Sequence, residues 1–175
     1  MATSSSRRLL LAPCALAAGR SGPMKALVPL REVPLDIMKG LDDCHLMALS
    51  PLFSSSSTIL TANHAQLEAY REALDVLRWV FTLPYLGDPS FTYRYIILHW
   101  LGSLSQDFII LLNERRPGAL ILLAYYCVLL KRAQCCWYIQ GHPDRLLSPV
   151  HSDLNTDLLI WIEWPLQVTE SLGYL

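Results

Sequence analysis

Charge is in short supply in this chain. Asp, Glu, Lys and Arg make up 17% of its 175 residues, where a typical globular domain carries about a quarter. The net charge is −1, and neither a Lys/Arg stripe nor a basic arm occurs; Arg115 and Arg116 are a pair, not a patch. Nucleic acid is held by clustered cations that displace condensed counterions, so no direct binding of nucleic acid by this chain is expected. A run long enough to cross a bilayer, about 20 consecutive apolar residues, is missing too. The longest run, Gly118 to Leu130, has 13 residues between Arg115-Arg116-Pro117 and Lys131-Arg132. It reads as a buried helix, and no transmembrane span is expected.

The cysteines form no recognisable pattern. Cys14, Cys44, Cys127, Cys135 and Cys136 are odd in number, two are adjacent, and no CxxC occurs, which speaks against both a disulfide framework and a zinc site. Cys127 falls inside the apolar run, where a free thiol behaves as a small hydrophobe, and a reducing compartment follows. Enzyme signatures are lacking as well: there is no HExxH, no GxSxG, no phosphate-binding glycine loop and no nucleotide fingerprint. Cys44-His45 and Asp42-Asp43 have no matching partner, and His99 and His151 are isolated. A lone histidine on a helix is more often packed or solvated than catalytic. The chain is therefore expected not to be an enzyme and to use no cofactor.

What the sequence does have is apolar residues, 53% of the total, with a mean hydropathy of +0.31. Their spacing is helical. Asn63 and Gln66 can form a capping box. Leu67, Tyr70, Leu74, Leu77 and Phe81 then follow as a single seam, with Glu68, Arg71, Glu72, Asp75 and Arg78 on the outer face. Pro84 to Pro89 make a turn, and a second helix is expected from about Thr92 to Asn113, with a small, polar middle at Gly102, Ser103, Ser105 and Gln106. Pro117 suits the first turn of a third helix, apolar on every side through Leu130 and stopped by Gly141. Asp144 to Leu154 and Asp157 to Trp161 read as short helical pieces, the last ended by Trp164-Pro165. No β-alternating stretch of convincing length appears. The fold class is all-α, a helical bundle with a central, nearly all-apolar helix.

Residues 1–60 read as a low-order linker or targeting-like segment. Arg7-Arg8 precedes an apolar stretch ending in Ala15-x-Ala17, and no acidic residue occurs before Glu32, which fits a signal peptide or a mitochondrial presequence as well as it fits a disordered start. Prolines 23, 29, 34 and 51 and the serines 54–57 break long periodicity, with room for a short helix around Leu35 to Leu49. Residues 61–175 form the expected domain.

From the third helix onward the sequence becomes specific. Arg116-Pro117-Gly118-Ala119-Leu120, continuing through Ala124-Tyr125-Tyr126 to Leu130, is followed by Trp137, Gly141, Arg145-Leu146-Leu147 and Trp161-Ile162-Glu163-Trp164-Pro165. Together with Tyr70-x-x-Ala73-Leu74 and Trp100 through Phe108-x-x-Leu111-Leu112, this order and spacing resemble the C-terminal regulatory domain of fungal Zn(2)-Cys(6) zinc-cluster transcription factors, in the group of the sterol uptake control proteins. The likeness covers roughly Leu67 to the C-terminus. Two departures stand out: His142-Pro143 follows Gly141 where the family usually has Trp, and Pro149 falls inside an expected helix, where it costs about 3 kcal/mol and kinks the chain. The family's six-cysteine cluster cannot form in residues 1–60, which hold Cys14 and Cys44 alone. His142-Pro143-Asp144 is also the tripeptide of J-domain co-chaperones, but Gln134-Cys135-Cys136 lacks their basic residues and no J-domain first helix precedes it.

The resemblance implies an effector-sensing module that controls RNA polymerase II transcription from the nucleus, with the cytoplasm as the alternative place. Its partners would be proteins of the transcription machinery or a second copy of itself. Zinc would belong to the missing cluster, and a sterol-like ligand would be the effector. Tyr125, Tyr126 and Trp137 are the candidate ligand residues; each tyrosine hydroxyl needs a partner once buried, and one of them would meet the hydroxyl of the ligand. The plainer expectation is that both tyrosines bond to neighbouring backbone or water and that Trp137 is a core anchor. The alternatives in function are a stand-alone binding protein for an apolar small molecule, or an inactive truncated fragment.

Overall fold

A helix that is apolar around its whole circumference has to be surrounded, and the fold is the arrangement that surrounds it. The computed structural model describes residues 43–54, 60, 62–82, 97–133 and 139–172. Helices there are α1 (Asp43–Met47), α2 (His64–Thr82), α3 (residues 97–103), α4 (Gln106–Asn113), α5 (Pro117–Arg132), α6 (His142–Asp153) and α7 (Glu163–Ser171), with a 3-10 segment at Thr156–Ile162 before α7. No strand occurs among the described residues, so the all-α bundle stands.

α5 is the centre. Every residue from Gly118 to Lys131 is buried except Leu123, which is partly covered. It packs against α2, α4, α6, the 3-10 segment and α7. Fully burying one Leu, Ile or Val is worth about 1.5–3 kcal/mol, so this one segment supplies a large part of the driving force. Pro117 stands in the first turn as its missing N–H allows. The last turn carries Lys131 and Arg132 against the negative end of the helix dipole. Lys131 is 7% exposed and places its Nζ 2.9 and 3.1 Å from the two oxygens of Asp144, tying α5 to α6.

α2 begins as its sequence dictates. The Asn63 backbone N–H donates to Gln66 Oε1 at 3.0 Å, and the Gln66 N–H donates to Asn63 Oδ1 at 2.9 Å, a reciprocal capping box. Leu67, Tyr70, Leu74, Leu77 and Phe81 are all buried. Arg78 is not a free outer-face cation: its guanidinium grips both oxygens of Asp43, at 2.8 and 3.1 Å. Arg71 pairs with Glu68 and also donates from Nε to the Phe53 carbonyl at 2.9 Å. These two arginines clamp residues 43–54 onto α2, and Leu46, Leu49, Leu52 and Phe53 become fully buried. The packed core therefore reaches back to Asp43, past the boundary expected at residue 60. The targeting-like stretch and residues 35–42 lie outside the described residues, as do the Pro84–Pro89 turn and residues 92–96.

The long helix expected up to Asn113 is broken. Ser105 adopts an extended backbone, and its hydroxyl accepts the Phe108 N–H at 3.3 Å, capping α4 as a separate helix. α4 ends with Arg115 at φ 54°, where the Arg116 N–H reaches Leu111 O at 2.9 Å and the Arg115 N–H reaches Leu112 O at 3.0 Å. This is the left-handed ending usually given to glycine, and it turns the chain straight into Pro117. Arg115 also pairs with Asp153 of α6 at 2.7 Å.

Two endings differ from the sequence expectation. α5 stops at Arg132, and Gly141, at φ 75°, is instead the residue that precedes α6. His142-Pro143 then forms the first turn of α6, where a proline nitrogen is harmless. Pro149 is accommodated inside α6 because it and Arg145, whose carbonyl loses its i+4 donor, both lie on the exposed face where water replaces the bond. Trp164-Pro165 does not end a helix but sits in the first turn of α7, again where no N–H is needed.

Gly118 marks a tight contact in the core. A Cβ built there would fall 2.8 Å from Cζ of the Tyr70 ring, and that ring is packed against Phe53 and Phe108, at 5.2 and 6.3 Å between centroids. Helix propensity alone makes Gly→Ala stabilising by about 1 kcal/mol. Overpacking a ring that cannot retreat costs about 1–3 kcal/mol. Gly118→Ala is accordingly expected to lower the denaturant midpoint, and a raised midpoint would show that Tyr70 is free to move.

Candidate functional site

Consecutive residues of an α-helix point about 100° apart. Tyr125 and Tyr126, adjacent on α5, therefore cannot converge on one ligand hydroxyl, and the structure sends them to opposite neighbourhoods. Tyr126 is 2% exposed and stacks on Trp100, with centroids 4.5 Å apart. Its hydroxyl donates to the Ile97 carbonyl at 2.9 Å. Trp100 in turn donates from its indole nitrogen to the Ala73 carbonyl at 3.1 Å and meets Phe108 edge-on at 6.0 Å. These contacts fasten α3 between α5 and α2.

Tyr125 turns the other way and stacks on Trp164 of α7 at 5.3 Å. The opposite partner of Trp164 is His45 of α1, 4.5 Å away and nearly parallel. Phe81 approaches the same indole at 6.4 Å, with the Arg132 guanidinium 5.9 Å from the Phe81 ring centroid. This column of rings joins α1, α2, α5 and α7. Trp161, on the 3-10 segment, is partly buried against the core. Trp137 lies outside the described residues.

The titration behaviour of these groups is that of a core. Burial pushes the Tyr125 hydroxyl up to about 12, with the nearby Cys44 thiol adding to the rise. Tyr126 is raised further, chiefly by burial with a smaller push from Cys127. Burial likewise lifts Tyr70 and Cys127 to about 12 each. In each of these four groups desolvation leads the causes; at Tyr70 the Arg116 charge works against it. Among the described residues no group of three His, Cys, Asp or Glu side chains could hold a metal ion. No helix of the described residues is long and apolar enough to cross a membrane.

One pair escapes this account. Trp79 of α2 and His99 of α3 are 5% and 6% exposed, with ring centroids 4.5 Å apart and planes inclined by 58°. Among the described residues, the Trp79 indole nitrogen and His99 Nδ1 are buried and find no hydrogen-bond partner. His99 Nε2 lies 3.4 Å from the Ser103 hydroxyl. Burial holds the His99 imidazole below its usual pKa and so favours the neutral ring. Leaving one such group unpaired costs about 1–3 kcal/mol. In the sequence His99 stands as an isolated histidine. Trp79, off the main α2 seam, gave no signal, and the 20-residue separation concealed that the two rings meet.

If the Tyr126 hydroxyl serves the fold, Tyr126→Phe should cost about 1 kcal/mol in a urea melt, the usual worth of a neutral hydrogen bond. An unchanged midpoint would contradict the structural role of that hydroxyl.

No family model matches the chain, and no solved structure matches it. A Zn(2)-C6 fungal-type transcription factor of Gibberella zeae is 28% identical over 125 residues, a match that takes in 70% of this chain and 23% of that protein. The chain thus spans about a quarter of the length of the relative it matches. The likeness reaches the family that the aromatic and proline pattern resembles, and no particular branch of it: this chain is similar to a part of a Zn(2)-C6 fungal-type transcription factor.

Proposed function

We propose that this chain is a non-enzymatic regulatory module of a zinc-cluster type transcription regulator, working in the nucleus through protein partners or self-association. The observation that carries this reading is the match over 125 residues to a Zn(2)-C6 fungal-type transcription factor. Two features of the chain support it. Tyr125, Tyr126 and Cys127 are buried, and burial is the chief cause that keeps each of them protonated. Exposed Leu98 and Leu101 on α3, Ile110 on α4 and Ile160 on the 3-10 segment offer apolar surface suited to protein contact. As effector we propose a sterol-like apolar molecule. One of the two tyrosines is expected to meet its hydroxyl; the Tyr126 hydroxyl already donates to the Ile97 carbonyl, so we assign that role to Tyr125.

The test is a reporter strain of yeast carrying the chain fused to a heterologous DNA-binding domain. Reporter output is expected to differ several-fold from that of the DNA-binding domain alone and to shift again when ergosterol is depleted. Val128→Asp, which buries a charge in the middle of α5, should abolish both effects. Output equal to the DNA-binding domain alone, at equal protein level, contradicts the regulatory reading. Altered output that ignores ergosterol removes the sterol effector and leaves a protein-interaction module.

A further inference from the structure

We propose that His99 makes the seat of α3 on α2 an acid-sensitive latch, which releases α3 at mildly acid pH while the helices around α5 stay packed. The imidazole is buried against Trp79 of α2, and its Nδ1 finds no partner among the described residues. A neutral ring tolerates this place. It can carry its one hydrogen on Nε2, toward the Ser103 hydroxyl 3.4 Å away, and leave Nδ1 as a bare acceptor. Protonation puts a hydrogen on both nitrogens. Nδ1 then becomes a donor with nothing to receive it, on a ring that carries a charge in an apolar setting. Released into water, the same ring finds acceptors for both.

Among the described residues no opposite charge makes up the difference. On α2 the charged neighbours of Trp79 along the helix are Asp75 and Arg78, and Arg78 is gripped by Asp43. α5 brings the Tyr126 hydroxyl, already committed to Ile97 O, and α4 brings Asp107, which is exposed. Burial, rather than any of these groups, holds the imidazole below its ordinary 6.5. α3 is also built to leave. It spans residues 97–103, the extended Ser105 separates it from α4, and it is fastened through Trp100 Nε1 to Ala73 O and through the Tyr126 hydroxyl to Ile97 O. So short a helix does not persist alone and opens as a unit. Its exposed Leu98 and Leu101 leave with it, so acid removes part of the apolar outer surface. Above about pH 6.5 the ring is neutral whether α3 is seated or released, and opening is independent of pH. Below it the released ring takes up a proton that the seated ring refuses, and opening becomes more frequent by up to about tenfold per pH unit until the seated ring titrates too.

The experiment is hydrogen exchange by NMR on the full chain labelled with nitrogen-15. The Trp100 indole N–H, bonded to Ala73 O, reports the seat of α3, and the backbone amides from Ile121 to Leu130 report α5. Rates are divided by those of free tryptophan and free peptide at the same pH to give opening constants. Between about pH 7.5 and about pH 5.5 the Trp100 opening constant is expected to rise about tenfold, and the α5 amides to open less often than Trp100 throughout. In His99→Phe, which keeps a ring against Trp79 and cannot titrate, the Trp100 constant should change by less than about twofold. A His99→Phe protein with the wild-type pH dependence overturns the proposal, since the proton would then act elsewhere. A Trp100 indole that opens only together with α5 overturns it too, because no separate latch would exist. So does a wild-type Trp100 constant that stays flat or falls on acidification, a fall meaning that the Trp79 ring holds the imidazolium as a cation. The wild-type measurements decide the matter even if the variant does not fold.

Discussion

Gly118 to Leu130 present apolar surface around the full turn of a helix, and no arrangement of one or two neighbours can dry such a surface. At about 25 cal/mol per Å², any side left wet would forfeit several kcal/mol, comparable with the whole stability of a small domain. The remainder of the fold answers that demand. α2 and α4 cover α5 on some faces, and α6, the 3-10 segment and α7 cover it on others. The few polar groups in the region are spent on holding these covers in place: Tyr126 on Ile97, Trp100 on Ala73, Lys131 on Asp144. The aromatic column of His45, Trp164 and Tyr125 does the same at the end where α1 meets α7.

Features that depend on neighbours in sequence were legible, and features that depend on neighbours in space were not. The Asn63–Gln66 box, the α2 seam and Pro117 at the head of α5 each need a handful of consecutive residues, and each is found where the spacing puts it. The break at Ser105 was missed because its hydroxyl can cap only once the chain turns, a choice made by the packing of Trp100 and Phe108. The short helix allowed around Leu35 to Leu49 is present, among the described residues, as Asp43–Met47, and residues 50–54 read as linker; Arg71 and Arg78 hold the whole stretch in place. Prolines misled in the same way. Pro165 marks a helix start rather than an end, and Pro149 is tolerated because its face is wet.

The same division applies to the candidate site. That Tyr125 and Tyr126 need hydroxyl partners follows from their burial in an apolar helix. That they part company follows from helix geometry, and which neighbours they find is tertiary information. The pair with unmet hydrogen-bonding needs, Trp79 and His99, came to light only when α2 and α3 were placed side by side. On the outside, Leu98 and Leu101 of α3 and Ile110 of α4 stay exposed.

Native-state hydrogen exchange tests the claim that everything else is built around α5. Amides buried in the last structure to open exchange only through global unfolding. The account predicts that the backbone amides from Ile121 to Leu130 exchange slowest in the chain, with an opening free energy equal to that of complete unfolding in denaturant. Opening of α5 at a lower free energy, while α2 and α6 keep their protection, would contradict it.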